Sequence, residues 1–322
     1  MRVLLTGASG FVGSHIMERL VRDGHVLTLL VRSPWVGDVP PGGRLERGSL
    51  EDPATLAAAC KNVDVVVHCA GLTKAVRATD FDRVNGVGTA RLLRAAKQEN
   101  SIKRFLLISS LAAAGPATPD RPAVETAVPN PVSAYGRSKR TGELRVMEQD
   151  RLPWIILRPP LVYGPRDKEL LPLLRWAERR RLPIPHTGRQ PLSVLYVEDL
   201  AAAVSQCLLR DECCNRVYHV ADPVWTTPEG LVEAIAGPAR SRFLVSRRVL
   251  RGLCLAGHAG SRLSGRPSMF SLWKWPEWSA PGWVCDSRRL ARDIGFVAQT
   301  DLAEGIRRTQ EAVVGRLVRN TG

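Results

Sequence analysis

The amino-acid sequence predicts an α/β fold, in which a doubly wound parallel sheet is covered by helices and followed by a smaller C-terminal lobe. Over the first 110 residues, short apolar runs alternate with helical patterns, which is typical of successive βαβ units. Each run is almost continuously apolar, as expected of strands that helices cover on both faces. A glycine-rich segment separates the first run from the first helical pattern, which is where such a sheet carries its tightest turn.

The predicted elements follow this alternation along the chain. The clearest strands are predicted at Met1–Leu5, His25–Val31, Val63–Cys69 and Arg104–Ser109. Helical patterns lie between them at Phe11–Arg22, Asp52–Ala59 and Val84–Gln98. Three later apolar runs are also predicted to be strands, namely Trp154–Arg158, Leu192–Val197 and Arg216–Val220.

The composition changes after about residue 222, where proline, arginine and tryptophan become dense and strand-like runs become rare. We therefore predict that residues 1–165 and 193–222 form the domain that contains the sheet. Residues 166–192 and 223–322 are predicted to form the smaller lobe. A chain of 322 residues is long enough to bury its core without disulfides or metals.

Cysteine usage and hydropathy predict a cytoplasmic protein without a metal site. The seven cysteines are scattered without a C-x-x-C pair, which is typical of reduced thiols. Residues 1–22 begin with a strand and a glycine-rich turn rather than with the pattern of a secretion signal. No apolar stretch approaches the roughly 20 residues that span a bilayer. The six histidines form no ligand cluster, so we interpret them as structural.

The net charge of +15 has two interpretations. It can indicate a polyanionic partner, such as nucleic acid, an anionic membrane surface or a phosphorylated ligand. It can also result from a GC-rich genome that uses arginine on solvated faces, which is the interpretation we favour. No aromatic-basic motif accompanies the charge, so we do not expect nucleic acid as a partner.

The glycine-rich segment Thr6–Gly13 predicts a dinucleotide-binding turn of the Rossmann type. Gly7 permits the tight turn, Gly10 lets the backbone approach a pyrophosphate, and Gly13 lets the helix pack against the strand. The N-terminus of the following helix faces the phosphates. The candidate cofactor-binding residues of this turn are Gly7, Ser9, Gly10, Phe11, Val12 and Gly13.

The residues after the second predicted strand indicate which nicotinamide cofactor is used. An acidic residue at this point would bind the adenosine ribose of NAD, and the sequence has none. Arg32 and Ser33 can instead bind a 2′-phosphate by charge and by hydroxyl donation. We therefore expect NADP(H) in preference to NAD(H). The alternative is that Arg32 only ends a strand in solvent.

The candidate catalytic residues are Ser110, Tyr135 and Lys139. Ser110 ends a predicted strand, and a Tyr-x-x-x-Lys pair on a helix places both side chains on one face, one turn apart. We expect the ammonium group of Lys139 to lower the pKa of Tyr135 and also to bind the nicotinamide ribose. Tyr135 would then exchange the proton of a carbinol, while Ser110 orients the carbinol oxygen.

These motifs together resemble the extended short-chain dehydrogenase/reductase family, also called the NAD-dependent epimerase/dehydratase family. The matching segments are Thr6–Gly13, Val63–Gly71, Asn85–Thr89, Ser109–Ser110, Tyr135–Lys139, Arg158–Pro165 and Tyr196–Ala201. The resemblance implies that Ala70 and Gly71 line the cofactor and that Asn85 supports the site near Lys139. It also implies an adenine-contacting turn at Ser49 and Leu50, although Ser49 replaces the usual acidic residue.

The resemblance adds further cofactor-lining candidates and a possible assembly. The remaining candidates are Cys69, Ser109, Pro159 and Val162. Members of this family often dimerise through a helix pair that includes the Tyr135–Lys139 helix, which implies a homodimer. A relative that kept the fold and lost activity is the non-catalytic alternative.

Three departures from the sugar-nucleotide branches narrow the range of candidate substrates. Leu111 and Ala112 follow the candidate serine where dehydratases carry an Asp-Glu pair, which disfavours water elimination. Leu161 and Leu192 stand where sugar-nucleotide enzymes carry an Asn and an Arg for the diphosphate. The segment Ser109–Pro116 is instead similar to the 3β-hydroxysteroid dehydrogenase branch. We expect hydroxyl–ketone interconversion on a steroid-like or lipid-like substrate, and the alternative is an NDP-sugar epimerase.

The C-terminal lobe supplies apolar side chains that suit such a substrate. They are Phe243, Leu244, Leu250, Leu253, Phe270, Trp273, Trp275, Trp278 and Trp283. The same tryptophans can alternatively pack the small core of the lobe. Phe243–Leu255 is amphipathic and rich in arginine, so peripheral contact with an anionic membrane is one expectation. A solvated basic helix is the other, and it is the one we favour.

Overall fold

The computed structural model describes residues 1–32, 35, 38–170, 181–185, 189–237 and 241–319. Ser33, a candidate for the 2′-phosphate, and His186 lie outside the described residues. The strands are β1 (Arg2–Thr6), β2 (Val26–Val31), β3 (Arg44–Arg47), β4 (Val65–His68), β5 (Arg104–Ile108), β6 (Trp154–Arg158), β7 (Leu161–Tyr163), β8 (Arg181–Pro185), β9 (Val194–Tyr196), β10 (Arg216–His219) and β11 (Ser241–Val245).

Helices connect these strands and continue to the end of the described chain. They are α1 (Phe11–Arg22), α2 (Pro53–Cys60), α3 (Ala78–Phe81), α4 (Thr89–Gln98), α5 (Leu111–Ala114), α6 (Ala134–Met147), α7 (Val197–Leu208), α8 (Pro228–Ala236), α9 (Arg247–Ser264), α10 (Trp275–Trp278), α11 (Arg288–Ile294) and α12 (Leu302–Arg319). A π-helical stretch at Asp82–Gly88 joins α3 to α4, and a 3₁₀ turn lies at Asp211–Cys213.

Seven parallel strands form the central sheet, in the order β10-β6-β5-β4-β1-β2-β3. The strand order reverses between β1 and β4, and ligands of such sheets bind in the crevice beyond the carboxyl ends of the strands at this point. Thr6 at the end of β1 is in register with His68 at the end of β4. The segments that follow these two strands therefore meet at one edge of the sheet, as the predicted Rossmann-type fold requires.

The core lies on both faces of this sheet, because alternate residues of each strand point to opposite sides. Val3 and Leu5 of β1 pack on one side with Ile16 and Leu20 of α1. Leu4 packs on the other side with residues of α2 and α4, including Leu56 and Leu92. The nearly continuous apolar runs are explained by this two-sided burial, which confirms the predicted α/β class.

Several elements differ from the sequence-based predictions, and β7, β8 and β11 were not among the predicted strands. β3 was not predicted, because its four residues include two arginines and are only partly buried. The predicted helix Val84–Gln98 begins as part of the π-helical stretch. The predicted strand Leu192–Val197 is shorter, and its core, β9, pairs with β7 outside the central sheet.

The predicted amphipathic segment Phe243–Leu255 is divided between a strand and a helix. β11 ends at Val245 and pairs with β8. Ser246 then caps α9, because its hydroxyl accepts a hydrogen bond from the backbone N–H of Val249 at 3.3 Å. Among the described residues, no helix is both long enough and apolar enough to cross a membrane.

The contact between Gly13 and Gly7 gives a testable prediction about the fold. A Cβ at Gly13 would lie 2.0 Å from the carbonyl oxygen of Gly7, so alanine there must push α1 away from the turn. We expect Gly13→Ala to lower the free energy of unfolding by about 1–3 kcal/mol. Gly252→Ala is the matched control, because no described atom lies within 4 Å of that Cβ position. In an exposed helix this control should stabilise by roughly 0.5–1 kcal/mol.

Denaturant titration of the two variants and the parent protein measures both effects. Equal unfolding midpoints for Gly13→Ala and the parent protein would show that the turn tolerates a methyl group, and the contact would then not constrain the fold.

Candidate functional site

The glycine-rich turn lies directly against the segment that follows β4. Gly7 has a φ of +79°, a conformation that glycine adopts without steric cost. A Cβ at Gly7 would approach the backbone nitrogen of Ala70 to 2.7 Å. The N–H of Ala70 donates to the hydroxyl of Thr6 at 3.1 Å. Two of the predicted cofactor-lining segments are therefore in backbone contact at the switch point of the sheet.

The N-terminus of α1 has the chemistry that a diphosphate requires. Gly10 is the N-cap residue, no described side chain caps the helix, and the first turn carries no acidic residue. Ser9 and Gly10 are exposed, and the N–H of Gly10 bonds to the carbonyl of Gly7 at 2.9 Å. Uncapped N–H groups at a helix start bind anions. Gly7 also leaves out the side chain that would collide with the backbone at Ala70. These residues therefore fit the diphosphate of a dinucleotide.

The candidates for the adenosine half lie along the same edge of the sheet. Arg32 directly follows β2 and is exposed to solvent. Ser49 and Leu50 follow β3, where the Ser49 hydroxyl accepts a hydrogen bond from the N–H of Glu51 at 3.2 Å. Leu50 is buried, 7% exposed, and lies under Gly88. Its side chain is therefore part of the core beneath this region.

Asn85, Gly71 and Lys139 meet where the nicotinamide end is expected. The amide of Asn85 donates to the carbonyl of Leu72 at 3.0 Å and to the hydroxyl of Ser138 at 2.9 Å. A Cβ at Gly71 would lie 2.9 Å from Asn85 Oδ1 and 3.2 Å from Lys139 Nζ. Only a glycine leaves room for these two groups, and the π-helical stretch that carries Asn85 is a feature common at functional sites.

Ser110, Tyr135 and Lys139 are brought together at the carboxyl end of β5. Ser110 is the N-cap of α5, where its hydroxyl accepts from the N–H of Ala112 at 3.1 Å, and it lies close enough to Tyr135 to lower the pKa of the phenol. Tyr135 lies in the first turn of α6, with its ring edge-on to Phe81 at a centroid distance of 6.0 Å. Lys139 follows one turn later and donates from Nζ to the carbonyl of Ile108 at 2.8 Å. The three predicted catalytic side chains therefore lie in one site.

The prediction that Lys139 lowers the pKa of Tyr135 is wrong for the protein alone. Burial raises the pKa of Tyr135, and the opposing effects come from Lys274 and from the hydrogen bond with Ser110. Lys274 Nζ lies over the Tyr135 ring, 4.9 Å from its centroid. Burial also lowers the pKa of Lys139. Spacing along a helix predicted the Tyr–Lys pair, but the charge next to the phenol comes from a distant segment.

A buried ion pair holds α6 against the sheet, and the sequence analysis missed it. Glu143 of α6 accepts hydrogen bonds from Arg158 Nε at 2.7 Å and from Arg158 Nη2 at 2.6 Å. The Ser109 hydroxyl donates to the same carboxylate at 2.6 Å. Ser109 is also predicted to line the cofactor, and its hydroxyl joins β5 to α6. The sequence feature that could have predicted this ion pair is Glu143 itself, an acidic residue one turn after Lys139 on the same helix face.

The remaining candidates lie after β4, after β6 and in β7. Cys69 follows β4, and burial raises the pKa of its thiol to about 11. The carbonyl of Pro159 accepts a hydrogen bond from the N–H of Leu111 at 2.8 Å. Val162 lies in β7, in register with Leu195 of β9. These residues therefore border the segments that carry Ser110 and Gly71.

Aromatic side chains of the C-terminal part pack on one another and contact the loop after β4. Trp273 Nε1 donates to the carbonyl of Val76 at 3.4 Å, and Phe270 stacks on Trp278 at a centroid distance of 6.4 Å. Leu250, which the sequence analysis assigned to the pocket, is 6% exposed and belongs to the buried face of α9. Leu161 begins β7, in register with Val194 of β9, and is 46% exposed.

Comparison with known proteins agrees with this arrangement. A family model described as the NAD dependent epimerase/dehydratase family matches residues 3–221. Ceramide reductase of Caulobacter vibrioides is 32% identical over 302 residues, which cover 91% of this chain and 88% of that protein. The 2-alkyl-3-oxoalkanoate reductase of Stenotrophomonas maltophilia is 26% identical over 326 residues, which cover 96% and 98%.

A solved structure extends the likeness to the whole fold. UDP-glucose 4-epimerase with UDP-glucose from Thermotoga maritima superposes with a TM-score of 0.80 at 20% identity, covering 98% of this chain and 100% of that one. At this identity the likeness concerns the fold alone. The family match spans the glycine-rich turn, the Tyr135–Lys139 helix and the strands between them. The chain therefore belongs to the NAD-dependent epimerase/dehydratase family and is an NAD(P)-dependent enzyme of the extended short-chain dehydrogenase/reductase type.

Proposed function

We propose that the protein interconverts a ketone and a hydroxyl group on an apolar, lipid-like substrate, with Tyr135 as the acid and base. The observation that carries this proposal is that Ser110, Tyr135 and Lys139 lie together at the carboxyl end of β5, with Ser110 close enough to the phenol to lower its pKa. Two hydroxyls that face one point can both bond to a single carbonyl oxygen. The names of the two reductases similar to this chain support a lipid-like carbonyl substrate.

The nicotinamide, when bound, supplies or takes up the hydride at the reacting carbon. Tyr135 transfers its phenolic proton to the carbonyl oxygen during reduction, and Ser110 donates a hydrogen bond to the same oxygen. Because burial raises the pKa of Tyr135, the phenol keeps its proton at neutral pH. This state is the one in which Tyr135 can act as the acid during reduction.

The C-terminal part supplies the proposed substrate lobe, formed by residues 166–192 and 223–322. Trp273 of this part reaches the loop after β4, where its Nε1 donates to the carbonyl of Val76. Leu192 forms isolated β-bridges with Thr226 and Trp283. Because its side chain is uncharged, this position provides no cation for a diphosphate. An unpaired buried diphosphate oxygen is costly, by roughly 1–3 kcal/mol per group, whereas an acyl chain needs no such partner.

Replacing the phenol tests the chemistry. We expect Tyr135→Phe to lower kcat by about 10²–10⁴-fold, because the proton donor is lost while the ring remains. Binding of NADPH, measured by fluorescence titration, should be nearly unchanged. In the parent protein, the reduction rate should be full below the pKa of Tyr135 and should fall as pH rises through it, while oxidation shows the opposite dependence. The assay follows nicotinamide absorbance with long-chain ketones and sterols.

Two outcomes would contradict this function. Full biological activity of Tyr135→Phe would indicate a cofactor-binding scaffold. Turnover of an NDP-sugar without net change in nicotinamide absorbance, by a protein that retains its cofactor through purification, would indicate an epimerase.

We also propose that the cofactor is NADP(H) rather than NAD(H), with Arg32 as the residue that binds the 2′-phosphate. Arg32 is exposed and directly follows β2, and no acidic residue lies at the end of that strand. An exposed guanidinium at this position can form charge-assisted hydrogen bonds to a phosphate.

A charge reversal tests the cofactor preference. Arg32→Glu should weaken NADPH binding at least tenfold, equivalent to about 1.4 kcal/mol, and should improve the relative binding of NADH. Arg22→Glu is the matched control, because Arg22 is an exposed arginine at the C-terminus of α1, the end away from the glycine-rich turn. Equal weakening by both variants would assign the effect to net charge instead of a 2′-phosphate site.

We further propose that α9 contacts an anionic membrane surface, where a lipid-like substrate would be collected. Leu250, Cys254 and Ser261 form its buried face. The opposite side is apolar, and its exposed large residues are Val249 at 55%, Leu253 at 45%, Leu255 at 50% and Leu263 at 90%. The helix carries four arginines and no acidic residue. An apolar face beside cations, without acids, is complementary to anionic lipid.

Vesicle sedimentation tests this surface. The protein should bind vesicles that contain phosphatidylglycerol more strongly than vesicles of phosphatidylcholine alone. Leu253→Glu combined with Leu263→Glu should abolish this difference. Val128→Glu, on an exposed residue of another surface, is the control for added charge. Unchanged binding of the α9 variant would contradict the proposal.

The homodimer through α6 stays a prediction.

A further inference from the structure

Lys274 and Glu277 approach Tyr135 from the segment around α10. Lys274 Nζ lies 4.9 Å from the centroid of the Tyr135 ring and forms an ion pair with Glu277 Oε2 at 2.8 Å. Glu277 Oε1 accepts a hydrogen bond of 2.5 Å from the hydroxyl of Ser133. Ser133 is the N-cap of α6, and its hydroxyl also accepts from the N–H of Gly136 at 2.9 Å. The ion pair is therefore connected to the helix turn that carries Tyr135.

The geometry of this pair is held from several directions. The side chains of Lys274 and Glu277 are 20% and 16% exposed. The N–H of Glu277 bonds to the carbonyl of Lys274 at 3.0 Å, and Trp283 Nε1 donates to the carbonyl of Glu277 at 3.0 Å. Exposed ion pairs have little effect, because water screens them and their side chains move freely. This pair is mostly removed from water and anchored at both ends, so its charges act strongly on a neighbour.

Within the described part of the chain, three charges outside α6 act on Tyr135. On the C-terminal side they are Lys274 and Glu277. A third charge is Glu169, which pairs with Lys74 at 2.8 Å. On α6 itself, Lys139 lies one turn away and bonds to the carbonyl of Ile108, and on α3 the ring contact is the uncharged Phe81. Lys274 lowers the pKa of Tyr135, whereas Glu277 and Glu169 raise it.

We propose that Lys274 is a positioning residue of the acid–base centre: its ammonium group over the Tyr135 ring, balanced by the opposing charge of Glu277, lets the C-terminal segment control when Tyr135 exchanges its proton. This inference rests on the proposed role of Tyr135. It assigns to a segment outside the family match, which ends at residue 221, a direct influence on the reacting phenol. When the substrate lobe packs against α6, it also places Lys274 next to Tyr135. The packing of the lobe and the proton transfer by Tyr135 are therefore linked.

The two members of the pair have opposite expected effects, which allows a sharp test. Lys274→Met removes the cation and should raise the pKa of Tyr135 by about one pH unit, a roughly tenfold change in proton affinity. Glu277→Gln keeps the hydrogen bond to Ser133 and removes the negative charge, so it should lower the pKa of Tyr135. Lys274→Arg should restore the parent value. Lys103→Met, on an exposed lysine before β5, is the matched control for the loss of one cation.

Tyrosine ionisation can be measured without substrate or cofactor, by ultraviolet absorbance or by NMR of labelled tyrosine Cζ. The chain contains four tyrosines. Burial raises the pKa of Tyr163 and Tyr218 and raises that of Tyr196 to about 12. The transition of Tyr135 is identified as the one that disappears in Tyr135→Phe.

Opposite shifts for Lys274→Met and Glu277→Gln, with no shift for Lys103→Met, would support the proposal. Shifts in the same direction, or no shift in either variant, would overturn it and leave the pair a structural contact. These results do not depend on turnover. Failure of the proposed function is detected separately, by full activity of Tyr135→Phe. With a substrate in hand, the pH profile of kcat/KM should move in parallel with the titration.

Discussion

The carboxylate of Glu143 is fully buried, and the arrangement of the site depends on how it is paired. It accepts hydrogen bonds from Ser109 after β5, from Arg158 of β6 and from Arg140 of its own helix. A buried charge that loses its partner typically costs about 3–5 kcal/mol. α6 therefore cannot rotate or slide without unpairing Glu143. This constraint determines the direction in which Lys139 and Tyr135, one and two turns earlier, present their side chains.

The cofactor half of the site follows from a second constraint, the close approach of backbone segments at the switch point of the sheet. Gly7 touches the backbone at Ala70, and Gly13 touches the carbonyl of Gly7. These contacts leave no room for side chains, so the uncapped N-terminus of α1 stays open to a diphosphate. Gly71 has the same role beside Lys139. The two halves of the site meet where β4 and β5 end.

The chemistry of Tyr135 results from the balance between burial and charge. Burial between α3, α5 and the C-terminal segment raises the pKa of the phenol, and Ser110 and Lys274 reduce this effect. In the proposed function, the same C-terminal part supplies the apolar pocket and the cation over the ring. One lobe would then determine both which substrate enters and how readily the proton moves.

Local features of the sequence were sufficient for the α/β class, the glycine-rich turn and the Tyr–Lys pair, because periodicity and spacing act within one strand or one helix turn. They also predicted six of the seven strands of the central sheet, but not β3, because two of its four residues are arginines. The partners Glu143–Arg158 and Lys274–Tyr135 join residues far apart in sequence, so only the tertiary structure decided them. The direction of the pKa change at Tyr135 was decided in the same way, because burial is a sum over all elements packed around a side chain.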